Sequence, residues 1–227
     1  MHRSFEDDLD RLRTRLVRMG SLVEEQVDFA FRALLESNAE IAKIVVERDD
    51  KVDKLDLKID KQCQRIFALQ QPVASDLRLL LAALKINNEL ERIGDVSAGI
   101  AGEFLKQPAI SAAANDLGLE RITRACFRMV KACLDAFVNN DPELAKHILP
   151  TDNTVDSLER DIRADVISRM KSDSAFIENG VALITIARRI ERIADHATNI
   201  AENVIFMLES KLVRHRGIED EDSGTEE

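Results

Sequence analysis

Four pairs of carboxylates, each four residues apart, are the groups of this chain whose type and spacing could do chemistry: Asp49 with Asp53, Glu91 with Asp95, Asp152 with Asp156, and Glu191 with Asp195. Side chains four apart leave one face of an α-helix, so each pair can converge on one point. Oxygen-only donor sets suit hard or borderline cations such as iron, manganese, magnesium or calcium, more than a metal that seeks thiolates. Left uncompensated, like charges at this spacing cost an isolated helix about 0.2–0.5 kcal/mol per pair. A solvated acidic face, with Arg92 and Arg192 as local counter-charges, is the plainer reading of any single pair.

What favours a metal is recurrence. Residues 39–56 align without gaps on residues 142–159, which brings Asp49 onto Asp152, Asp53 onto Asp156 and Asp56 onto Glu159. The block Ile86-Asn-Asn-Glu-Leu-Glu-Arg-Ile-Gly-Asp95 aligns on Ile186-Ala-Arg-Arg-Ile-Glu-Arg-Ile-Ala-Asp195. Two matched blocks in the same order and at nearly the same spacing mark an internal duplication.

The elements that must position these acids are helices. With about 100° per residue and Glu91 at zero, Ile86, Leu90, Ile93 and Ile100 cluster at about 180–260°, and Asp95 lies near 40° on the other side. Ile186, Ile190, Ile193 and Ile200 form the same arc in the second block. Asp49, Asp53, Asp56 and Asp60 flank the arc of Val52, Leu55 and Ile59. Breaks in the helical pattern predict six helices, over 5–37, 39–70, 73–106, 114–139, 142–171 and 175–213. Asn38 and Asp141 read as N-caps, with Pro142 in the first helical position. The expected fold is all-α: two tandem, pseudo-symmetric three-helix bundles over 1–111 and 112–215, then an acidic, disordered tail over 216–227.

Composition agrees. Hydrophobic residues make up 45% while aromatics are only 4%, with no Trp or Tyr, so the core is aliphatic. Gly (8) and Pro (4) are too scarce for a turn-rich β protein. A formal net charge of −10 argues against nucleic acid as partner, since that needs a cationic face. Cys63, Cys126 and Cys133 read as small buried residues in a reducing compartment. The N-terminus lacks an apolar signal core and no apolar run spans a bilayer, so a cytoplasmic protein is expected.

The same residues resemble the PhoU family of phosphate-uptake regulators. The resemblance runs over nearly the whole chain, through Met19-Gly-Ser-Leu-Val-Glu24, Gln71-Pro-Val-Ala-Ser-Asp-Leu-Arg78, Leu90-Glu-Arg-Ile-Gly-Asp95 and Ile190-Glu-Arg-Ile-Ala-Asp195. It implies two symmetric three-helix bundles and, as in some members, multinuclear iron or zinc clusters on acidic motifs matching the four pairs. It also implies a negative regulator, commonly homodimeric. Such a protein would be an adaptor between the phosphate-specific ABC transporter and a phosphate-sensing histidine kinase, reaching the membrane only through these partners.

His147 and His196 read as polar surface residues, and Asn199 and Glu202 as auxiliary ligands beyond Asp195. Asp76 and Arg78, near the start of the third helix, read as a helix cap in preference to an anion-binding pair. No nucleophile elbow, phosphate-binding Gly loop or Cys/His zinc signature occurs, so a non-enzyme is expected. The rival readings are a carboxylate-bridged metalloenzyme (an oxidase or phosphohydrolase) and a metal store. Arg163 and Arg188 stand where the first copy has Asp60 and Asn88, which predicts tighter metal binding in the first half.

Overall fold

A computed structural model describes residues 2–210, with side chains from Phe5 onward. Among the described residues there is no strand. The helices are α1 (His2–Leu35), α2 (Ala39–Gln70), α3 (Ala74–Lys106), α4 (Ile110–Asp116), α5 (Leu119–Asn139), α6 (Pro142–Ile148), α7 (Asp152–Ser172) and α8 (Ile177–Glu209). The expected tail, and the last residues of the sixth predicted helix, lie outside the described residues. So does the end of the second expected bundle.

The predicted starts hold where cap chemistry is local. Asn38 Oδ1 accepts from the Glu40 and Ile41 N–H groups, both at 3.1 Å. Asp141 Oδ1 accepts from Leu144 N–H at 2.9 Å, with Pro142 opening α6. Each satisfies N–H groups that the first helical turn leaves without a partner. Asp76 departs from expectation. Val73 occupies the cap position of α3 and no side chain caps it, while Asp76 sits in the first turn.

Two further departures have plain causes. The fifth predicted helix is split, because Pro150 forces a 3₁₀ turn at Leu149–Thr151 between α6 and α7. Proline has no N–H to donate and its ring crowds the carbonyl four residues back. The predicted linker before residue 114 is instead α4, whose Ile110, Ala113 and Ala114 are buried against α1, α5 and α8. Gly118, at φ 70°, lets the chain turn into α5.

The first bundle is α1, α2 and α3; the second is α5, the α6–α7 pair and α8. Val52, Ile59, Ile86, Leu90, Ile93 and Ile100 fill the first, and Val155, Ile186, Ile190, Ile193 and Ile200 fill the second, all fully buried. The apolar arcs read from the sequence therefore face inward, and the acids between them are left on the flanks. Cys63, Cys126 and Cys133 are free and buried, and burial holds the Cys63 thiol up at about 12.

The bundles are joined by α3 packing along α8. At one end Arg189 Nη1 donates to Gly99 O at 2.5 Å and lies 3.6 Å from Glu103. At the other, Glu89 Oε2 lies 2.7 Å from His196 Nδ1 and accepts from Asn199 Nδ2 at 3.2 Å. One continuous apolar core crosses this seam.

Candidate metal centres

Helices α2 and α3 run side by side, so their acidic pairs meet across the groove between them. One carboxylate oxygen each from Asp53, Glu91 and Asp95 lies within 4.8 Å of the other two. In the second bundle the corresponding convergence, between α7 and α8, is Asp152, Asp156 and Asp195, again within 4.8 Å. Six of the eight expected residues are thus brought together in two threes. The remaining member differs between halves: it is Asp49 in the first and Glu191 in the second.

Asp49 is taken up by a residue that pattern reading missed. Gln26, fully buried on α1, donates Nε2 to Asp49 Oδ1 at 3.1 Å and to Gly94 O at 3.3 Å. Burial raises the Asp49 carboxyl above its ordinary range, the Gln26 bond opposes this, and Asp95 and Asp53 push it further up. Glu191 remains electrostatically part of its cluster. Burial raises its carboxyl first, and Asp195, Asp156, Glu159 and Asp152 add to the effect. Glu91 is raised likewise by burial and Asp95, with Arg92 opposing.

Further along the first groove, Asn87 Nδ2 donates to Asp56 Oδ1 at 2.6 Å and to Asp60 Oδ1 at 3.2 Å. Gln26 and Asn87 each offer one visible signal, a polar residue within an otherwise apolar arc. The second half has cations nearby instead. Arg163 lies 3.4 Å from Glu159, whose counterpart in the first half is Asp56.

The expected counter-charge Arg92, itself exposed, lies 3.6 Å from the half-buried Glu91, a contact of small energetic weight. His147 is exposed, as read from the sequence. His196 is not a surface residue: it is half-buried against Glu89 in the α3–α8 seam. Asn199, expected as an auxiliary ligand, turns to the same Glu89 because α8 presents that face to α3. Glu202 is half-buried on the same helix.

The geometry can be tested against an ion. Two oxygens on one cation are separated by at most about 4.2 Å for metal–oxygen distances near 2.1 Å, and by about 5 Å for calcium. Separations up to 4.8 Å therefore need at most a side-chain adjustment of under an ångström or so. The donors are all carboxylate, burial and then the neighbouring acids raise Glu91 and Glu191, and a cation would offset the repulsion among them. The acidic groups fit a metal ion.

Comparison with known proteins is consistent with this duplicated design. A model of the PhoU domain matches twice, at residues 16–103 and 119–204. The chain is 37% identical over 213 residues to the phosphate-specific transport system accessory protein PhoU of Serratia marcescens, covering 94% of this chain and 88% of that protein. It is 32% identical to PhoU homolog 1 of Thermotoga maritima, covering 99% and 98%. The crystal structure of PhoU from Pseudomonas aeruginosa superposes with a TM-score of 0.88 at 35% identity, over 91% of this chain and 100% of that one. The phosphate transport system regulatory protein PhoU from Streptococcus pneumoniae gives a TM-score of 0.84 at 28% identity, covering 92% and 99%. With both bundles matched, and in the same order as the duplicated acidic helices, the chain belongs to the PhoU domain family.

Proposed function

We propose that this protein is a non-enzymatic regulator of phosphate uptake and of the phosphate-starvation response. In this reading it is an adaptor between the phosphate ABC transporter and a sensor histidine kinase, homodimeric, cytoplasmic, and at the membrane only through its partners. The observation that carries the proposal is the similarity to phosphate-transport accessory proteins along 94% of the chain. Among the described residues no helix is long and apolar enough to cross a membrane, which suits a docking role. The two bundles, divided at residues 111 and 112, would present separate surfaces to separate partners.

The carboxylate clusters enter as metal sites. Asp53, Glu91 and Asp95 would hold one ion or cluster, with Asp49 beside them. Asp152, Asp156 and Asp195 would hold the other, with Glu191 beside them. An all-carboxylate set suits hard or borderline cations, and the family resemblance implies iron or zinc among them. A bound cation would neutralise the acids and tie α2 to α3 and α7 to α8.

Deletion of the gene is the direct test. Phosphate-starvation genes should be expressed in phosphate-replete medium in the deletion strain, and the wild-type gene should restore repression. Unchanged starvation-gene expression together with unchanged phosphate uptake would end the proposal. Elemental analysis of untagged protein tests the metal sites separately, and loss of metal in Asp53→Ala with Asp95→Ala is the expected result.

A further inference from the structure

A net charge of −10 describes the chain as a whole and hides a cationic groove on the first bundle. Two adjoining hollows of about 520 and 290 Å³ lie between α1 and α2. Arg11, Arg15 and Arg18 form one wall and Lys51, Lys58 and Lys61 the other, over a floor containing Leu22 and Leu55. Over residues 51–65 helix α2 is thus divided lengthwise, with Asp53, Asp56 and Asp60 toward α3 and the bases toward the groove.

The cations outnumber the acids of the two linings, Asp8 and Glu25. Among the described residues, Lys54 alone of the basic groups lining the two hollows forms an ion pair, with Asp50 at 3.8 Å. Glu25, at the mouth, is engaged by Arg48 at 2.5 Å.

The duplication gives an independent observation, an internal control. Lys51, Lys54, Lys58, Lys61 and Arg65 of α2 correspond, 103 residues on, to Thr154, Ser157, Asp161, Ala164 and Ser168 of α7. A hollow of about 310 Å³ in the second half overlaps only the matching end of the first, with Thr154 where the first has Lys51 and Arg128 where it has Glu25. The acidic pairs survive in both copies while the row of bases exists in one, so the bases are no by-product of building this helix.

We infer that the α1–α2 groove of the first bundle binds an acidic, amphipathic peptide segment of a partner protein. The occupant's class follows from the shape and chemistry of the groove. From Lys51 to Arg65 it runs about 21 Å along the helix axis at about 1.5 Å per residue, room for about four turns of a bound helix. The leucine floor between cationic walls accepts apolar side chains while carboxylates reach the walls. A flat lipid surface would meet the rims and leave the floor empty. Single-stranded nucleic acid gains from aromatic platforms, and neither hollow has an aromatic residue in its lining. The inference stands apart from the regulatory proposal, because it is read on purified full-length protein.

Fluorescence anisotropy of a fluorescein-labelled helical peptide, with Glu on one face and Leu on the other, tests it. Binding should be saturable and weaken with salt, and Lys58→Glu with Lys61→Glu should lower affinity by about tenfold or more. Lys58→Gln with Lys61→Gln, which adds no repulsion, should lower it about threefold or more, and circular dichroism checks that each variant is folded. Arg121→Glu with Lys131→Glu, exposed on α5, should change nothing. Equal weakening by the α5 variant would overturn the inference, as would tighter binding of phosphatidylglycerol vesicles or single-stranded DNA through the same lysines. Removal of residues 217–227, with their Glu219-Asp220-Glu221-Asp222 run, should leave peptide affinity unchanged. A marked rise would make the chain's own end the occupant and overturn the partner assignment.

Discussion

Replacing Gln26 with Met isolates one polar contact of the first acidic cluster, because Met is close to Gln in size and the second half carries Met129 at the matching position. The wild-type side chain is fully buried, and its strongest contact is the 3.1 Å bond to Asp49. A hydrogen bond to a charged group contributes about 1.5–3 kcal/mol, and partial exposure of Asp49 puts this one near the lower end. Met also removes Gln26 Oε1, which has no hydrogen-bond partner, so the single substitution understates the bond. A double-mutant cycle with Asp49→Ala cancels that offset. The expected coupling is about 1.5 kcal/mol near neutral pH, or about 3–6 °C in melting temperature for a chain of this size. Urea unfolding followed by circular dichroism measures it. Asp49 has a raised carboxyl, so lowering the pH protonates it and should shrink the coupling toward that of a neutral hydrogen bond. A coupling under about 0.5 kcal/mol, or one indifferent to pH, would refute the assignment of Gln26 as the residue that holds Asp49.

Other outcomes follow from the same groups. Glu91 and Glu191 are both raised above the ordinary 4.5, so their favourable contribution is present below that value and lost as pH rises through the folded-state value. Glu91→Gln with Glu191→Gln should therefore melt higher than wild type near neutral pH without metal, and the gap should close toward about pH 4; a pH-independent gap would contradict this. Metal titration should show the first site binding severalfold more tightly, with Asp53→Ala and Asp95→Ala removing the tighter phase and Asp156→Ala and Asp195→Ala the weaker. If the first double variant retains the tighter phase, the cost assigned to Arg163 and Arg188 is misjudged. Fragments 1–111 and 112–227 should each be helical by circular dichroism and should recombine one to one, because separation bares the α3–α8 seam; two disordered fragments would rule out independent bundles.

Much of this molecule was legible where the signal is local. Asn38, Asp141 and Pro142 mark helix starts because a cap acts on N–H groups two or three residues away. Ile86, Ile93, Ile186 and Ile193 reveal the buried face because a helix repeats every 3.6 residues. Carboxylates four apart are legible for the same reason, and the structure groups six of the eight. The 3₁₀ turn at Pro150 was available from its chemistry but was masked by the gapless alignment with the unbroken α2. Gln26 and Asn87 stand out as polar residues in apolar arcs, but their partners, like the Glu89–His196 contact, were not readable, since they lie 23 to 107 residues away. The basic groove was lost for another reason: net charge sums over the chain, while a binding surface depends on where the charges stand.

The seam between the bundles carries a consequence for the origin of the chain. Glu89 and Arg189 occupy the same position in the two copies, and so do Gly99 and Asn199. Glu89 meets Asn199 at one end of the crossing, and Arg189 meets Gly99 at the other. Each copy's first position therefore touches the other copy's second, the reciprocal relation of a two-fold interface between identical subunits. Two separate identical chains would have to repeat the same contact at both ends of that crossing, with an acid at each or a base at each. Joined in one polypeptide, the copies are free of that restriction, and one end is a carboxylate with a histidine and an amide as partners while the other is a guanidinium on a glycine carbonyl beside Glu103. A single polypeptide thus permits two distinct contacts where a symmetric dimer permits one, and leaves its halves free to differ elsewhere, as in the row of bases present on α2 and absent from α7.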